Sequence, residues 1–96
     1  MTEHFTAHLR LTLLRLLVGA PGYRANSSIM HSAAAEFGLG ASRDQIKSEL
    51  AWLAEQGAVR NQDVSGVVVS TLTDRGLDVA EGRAHMPGVQ KPAPGA

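Results

Sequence analysis

The stretch that decides the fold is Gly38 to Val59, GLGASRDQIKSELAWLAEQGAV. Gly38 suits the left-handed position just past the end of a helix, and Leu39 is the apolar residue that folds back on that end. Ser42 followed by Gln45 has capping-box spacing and starts a new helix at Arg43. Ile46, Leu50 and Leu53 then recur on one side, and Gly57 ends the helix before Val59. With that side inward, a wheel of about 100° per residue sends Asp44, Lys47, Ser48, Ala51 and Glu55 outward and leaves Arg43 on the exposed first turn. Trp52 falls at the edge of the inward side, where it can bridge this helix to a hairpin or to a following helix.

Upstream, Asn26 or Ser27 caps a helix in which Ile29, Met30, Ala33, Ala34 and Phe37 make a narrow apolar face. Tyr23-Arg24-Ala25 reads as a short extended piece, set off by the turn residues Gly19-Ala20-Pro21-Gly22. Before that turn, a first helix from Thr2 to Val18 carries Phe5, Leu9, Leu13, Leu16 and Leu17 as a buried stripe. A second strip, Ala7, Leu11, Leu14 and Val18, lies on the other side of the same helix. It must meet either another part of this chain or a second copy of it.

Downstream of Gly57 the period changes from helical to alternating. Ala58 to Gln62 and Val67 to Leu72 read as two strands, with Asp63 to Gly66 as the turn between them. Thr73 caps a last helix from Asp74 to about Arg83, whose Leu77, Val79 and Ala80 touch the core. Residues 86–96, MPGVQKPAPGA, are rich in proline and glycine with little to bury, so a flexible tail is expected there, after a domain at 1–85. The class is therefore mainly α with a small β-hairpin, in the order α-α-α-β-β-α.

Two short helices joined by a glycine-containing turn and followed by a hairpin resemble a winged helix-turn-helix. FGLGAS, SELAWLAEQGAV and VVVSTLTDRGLDVA carry that resemblance. The chain is also similar to the small winged-helix proteins encoded by Mu-like phages and prophages. The matching segments are Pro21 to Arg24, Ser42 to Leu53, Thr71 to Ala80 and the Pro-Gly-rich end from Met86 to Ala96. The resemblance implies a phage-encoded protein whose third helix lies in the major groove of DNA, with the wing near the backbone.

Composition limits how such a protein can act. Nine Lys and Arg balance nine Asp and Glu, so affinity for phosphate has to come from a local cluster rather than from a basic domain. There is no cysteine, which excludes a disulfide framework and thiolate metal sites, and a reducing bacterial cytoplasm is the expected setting. The most apolar stretch, Leu9 to Val18, is interrupted by Arg10, Thr12 and Arg15 and falls short of the ~20 residues of a membrane span. His4 and His8 have i, i+4 spacing but no evident further ligands, so no metal is expected. No nucleophile with a base and no phosphate loop appears either, and neither a cofactor nor catalysis is expected.

For a DNA-binding role, Arg43 can form a bidentate pair with guanine and Lys47 can take phosphate or guanine. Ser48 and Ala51 are small enough for close approach to base edges, and Asp44 repels phosphate unless it accepts from a cytosine amino group. Arg24 and Arg60 flank the helix, while Asn61, Gln62 and Ser65 offer neutral donors on a wing tip without Lys or Arg. Three or four such contacts give a salt slope of about −3 per subunit, so tight binding calls for a homodimer on a paired site. Leu11, Leu14 and Val18 are the strip expected to form its interface. The alternative reading is a protein-protein interaction module or adaptor in a phage complex, favoured by the neutral charge, the wing tip without Lys or Arg and the second apolar strip of the first helix.

Overall fold

The computed structural model of the chain describes residues 2–93. Its elements are α1 (Glu3–Val18), β1 (Arg24–Asn26), α2 (Ser27–Glu36), α3 (Arg43–Glu55), β2 (Val59–Val64), β3 (Val67–Leu72) and α4 (Asp74–Ala80), with a single 3-10 turn at Pro21–Tyr23. The extended piece expected at Tyr23 begins one residue later, because Tyr23 holds a left-handed φ of +57° that no strand accommodates.

Side-chain caps set the helix starts. Asn26 Oδ1 accepts from the Ile29 N–H at 2.9 Å, Ser42 Oγ from Gln45 at 3.0 Å, and Thr73 Oγ1 from Gly76 at 3.1 Å. Each such cap is worth ~1 kcal/mol. α2 and α3 close in the same way: the Leu39 N–H donates to the Ala34 carbonyl and the Ala58 N–H to the Leu53 carbonyl, both at 2.9 Å. α4 stops short of Arg83. Gly82 turns left-handed there, and the Arg83 N–H folds back onto the Asp78 carbonyl at 2.8 Å.

The hairpin gains a third strand. β3 lies between β1 and β2, antiparallel to both. Three rows run across the sheet: Arg24, Thr71 and Arg60; Ala25, Ser70 and Asn61; Asn26, Val69 and Gln62. The turn is tighter than the expected Asp63 to Gly66. Val64 pairs with Val67, leaving Ser65 (φ +54°) and Gly66 (φ +83°) as a two-residue turn with both residues left-handed, as the twist of a hairpin favours. Asp63 Oδ1 accepts from the Gly66 N–H at 3.0 Å and braces that turn.

The core gathers Leu9, Leu13 and Leu17 of α1, Met30 and Ala34 of α2, Ile46, Leu50 and Leu53 of α3, and Val59 and Leu72 of the sheet. Leu11 and Leu14 belong to it as well, at 3% and 0% exposure, and Val18 packs against it half-buried. The expected dimer strip is thus corrected: α1 is contacted by α2, α3, β3 and α4 of its own chain. The apolar face assigned to α2 is also narrower than its sequence implies. Met30 and Ala34 are buried, whereas Ile29 and Phe37 are 59% and 67% exposed.

The segment after residue 85 is not a free tail as far as it is described. Met86 and Val89 are buried, and the Gln90 N–H donates to the Ala7 carbonyl at 3.1 Å. Arg10 Nη1 donates to the Gly88 carbonyl at 3.0 Å. Gly88 has φ +94°, and a Cβ on it would stand 2.9 Å from the Trp52 ring, so only glycine lets the strand of chain pass this close. Two apolar side chains suffice to dock a segment this short, which corrects the expectation that it has little to bury. Residues 94–96 of the expected tail lie outside the described residues.

Candidate nucleic-acid interface

α3 is held from behind by an ion pair as well as by leucines. Glu49 lies on its inward arc, and Arg10 Nε reaches Oε1 at 2.7 Å, with side-chain exposures of 17% for Arg10 and 11% for Glu49. The Arg10 guanidinium also stacks 3.7 Å from the centroid of Trp52. Trp52 therefore bridges α3 to α1 and the 86–90 segment. Sequence reasoning left Arg10 unplaced and passed over Glu49.

The opposite face of α3 is open. Asp44, Ser48, Ala51 and Glu55 are exposed, Arg43 is exposed on the first turn and Lys47 is half-buried. Both cations are oriented by neighbouring elements. Arg43 Nη1 donates to Ser28 Oγ at 3.2 Å, which ties the start of α3 to the start of α2. Lys47 Nζ donates to the Gly66 carbonyl at 2.6 Å and so fastens the wing turn to α3. Ser27, Ser28, Arg43, Lys47, Gly66 and Val67 together line a small cleft where α2, α3 and the wing meet. The first turn of α2 opens on this cleft with the partial positive charge of a helix N-terminus. Ser27 Oγ accepts from the Val68 N–H at 3.1 Å, joining α2 to β3 beside it. Neither serine nor Gly66 is evident as a site residue in the sequence, because the cleft is made by segments far apart in the chain.

The register brings Arg24 and Arg60 together. Both flank Thr71 in one row, on the face of the sheet opposite buried Ser70. Two strand spacings put their backbones about 10 Å apart. This row sits toward the base of the hairpin, away from Ser65 and the cleft, with half-exposed Tyr23 next to it in the chain.

Asn61, expected as a neutral donor on the wing, is hydrogen-bonded within its own chain. It shares the inward parity of Val59, and its Nδ2 donates to the Leu50 carbonyl at 2.9 Å while its Oδ1 accepts from Ser70 Oγ at 2.6 Å. Its amide is committed to joining α3 and β3, because Ser70 is fully buried and needs a partner. Asn61 itself, Gln62 and Ser65 are all exposed. Arg75 donates to the Gln56 carbonyl at 2.9 Å. Arg83 pairs with Asp78 and Glu81, contacts that raise its pKa above the ordinary arginine value. The cations facing α3 and the sheet are therefore Arg24, Arg43, Lys47 and Arg60, set against Asp44, Glu55 and Asp63. No group of three or more metal-ligating side chains occurs among the described residues, and none of their helices is long and apolar enough to cross a membrane.

No family model matches the sequence. The chain is 43% identical over 96 residues to the uncharacterized protein gp26 of Escherichia phage Mu, covering 100% of this chain and 99% of that protein. It is 38% identical over 76 residues to an uncharacterized protein of Haemophilus influenzae, covering 78% and 74%. Among solved structures it is similar to Sco3205, a MarR family transcriptional regulator from Streptomyces coelicolor in complex with DNA. That likeness has a TM-score of 0.64 at 24% identity and covers 83% of this chain. The chain spans about half the regulator's length, at 48% of it, and the likeness establishes the winged helix-turn-helix fold.

Proposed function

This chain belongs to the family of the phage Mu protein gp26, and on that footing we propose that it binds double-stranded DNA through α3 and the wing, in phage transcriptional regulation or DNA handling. The observation that carries the proposal is the cleft between α2, α3 and the wing turn, walled by Arg43 and Lys47. A backbone phosphate oxygen placed there meets two cations and the positive end of α2. With the phosphate so anchored, Ser48 and Ala51 face the floor of the major groove with little bulk, and Asp44 is placed to accept from a cytosine amino group. Arg24 and Arg60 add a second pair of phosphate contacts from the outer face of the sheet, and Gln62 and Ser65 serve as neutral donors along the wing.

Four cations per chain neutralise few phosphates. Two copies on a paired site supply the affinity that one lacks. DNA-bound Sco3205 shows that a regulator of this fold engages DNA.

A gel-shift titration of fragments of a Mu-like phage genome tests the reading. The wild-type chain shifts a subset of fragments, and Arg43→Ala weakens that shift by roughly tenfold or more, as expected for one charged contact. A chain that shifts no fragment, or an Arg43→Ala variant that binds like wild type, refutes it and returns the fold to the protein-contact role.

A further inference from the structure

The far end of α2 leaves an aromatic side chain in water. Phe37 is 67% exposed at the end of this helix. It forms one wall of a shallow hollow completed by Leu39 and, from α1, by His8, Thr12, Arg15 and Leu16. Leaving such a ring in water rather than burying it forfeits ~1.5–3 kcal/mol.

We infer that this surface is where a second copy of the chain docks. A two-fold interface uses the same patch twice, so each copy must offer both the projecting group and its receptacle. Phe37 and the hollow beside it meet that condition within one patch. Exposed charges of both signs accompany the patch as well. Arg15 lines the hollow and Glu36 precedes Phe37; both are exposed, and neither has an ion-pair partner among the described residues. A two-fold axis through the patch sets Arg15 of one copy against Glu36 of the other, and the pairing repeats by symmetry. The α1 strip cannot serve instead, because Leu11 and Leu14 are already buried in their own chain.

A patch centred on one aromatic residue makes a small interface, so the expected dimer is a weak one whose assembly is read over micromolar concentrations. The inference gives a physical face to the two-copy part of the DNA-binding reading, and its test uses no DNA.

Sedimentation velocity of the full chain between about 1 and 300 µM tests it. The wild type converts from monomer to dimer across that range, and Phe37→Ser, folded as judged by circular dichroism because the site is exposed, remains a monomer. Arg15→Glu and Glu36→Arg each weaken the dimer several-fold, and the double exchange restores it, since reversing both charges rebuilds the pair. A wild type that stays monomeric, a dimer indifferent to Phe37→Ser, or a double exchange no better than the single variants overturns the inference. A monomer that still binds DNA removes this interface alone, and a dimer without DNA affinity removes the DNA reading alone.

Discussion

Arg10 and Glu49 show how one pair of residues sets the rear of α3. Their 2.7 Å contact, the ring of Trp52 and the Gly88 carbonyl leave the guanidinium little water to return to. Glu49→Gln removes the charge and leaves Arg10 half-buried beside a neutral amide, at an expected cost of about 2–3 kcal/mol, read from the urea midpoint. Asn61 gives a complementary test. Asn61→Ala strips partners from both Ser70 Oγ and the Leu50 carbonyl, so stability falls by about 1–3 kcal/mol while the DNA affinity of the folded chain is unchanged. Weakened DNA binding with unaltered stability would instead make Asn61 a phosphate contact. Both roles leave traces in the sequence that are easily overruled. Glu49 follows Ile46 by three residues on the inward arc, and Asn61 follows Val59 by two in a strand, yet polar character argues for solvent until a buried partner is known.

Among the elements, those fixed by local chemistry were the legible ones. Asn26, Ser42 and Thr73 cap their helices through bonds spanning three residues, and β3 follows its alternating apolar pattern from Val67 to Leu72. What escaped depends on distant chain. Helical spacing marks Ile29 and Phe37 as apolar, but no neighbouring element covers them. The second strip of α1 is equally apolar and is covered by its own chain. β1 was visible only as an extended piece because its partner, β3, lies some forty-five residues on. The 86–90 segment is the element whose docking sequence hides most completely. Gly88→Ala forces a Cβ onto Trp52 at a left-handed φ, and the expected penalty is about 1–3 kcal/mol. Hydrogen exchange locates it: the Gln90 amide, bonded to the Ala7 carbonyl, loses protection ahead of the core of α3. Unchanged protection at Gln90 would mean that the segment docks without regard to Gly88.

For the molecule as a whole, local arrangement reconciles zero net charge with the proposed nucleic-acid role. Of the cations, Arg10 and Arg83 are neutralised by carboxylates, while Arg24, Arg43, Lys47 and Arg60 are gathered by the fold toward α3 and the outer sheet face. The candidate face was legible on α3 because a wheel suffices to find it, whereas the cleft at Ser28 and Gly66 and the Arg24-Thr71-Arg60 row required tertiary contacts. So few cations predict weak, only modestly salt-dependent binding per chain and little attraction at long range. The most direct test is the affinity for a duplex selected from Mu-like phage DNA, measured by fluorescence anisotropy across a salt series. The account predicts a slope of log K against log salt of about −3 per chain, flattened by about 1 in Arg43→Ala. No binding at about 50 mM salt, or binding whose slope is indifferent to Arg43, would contradict it.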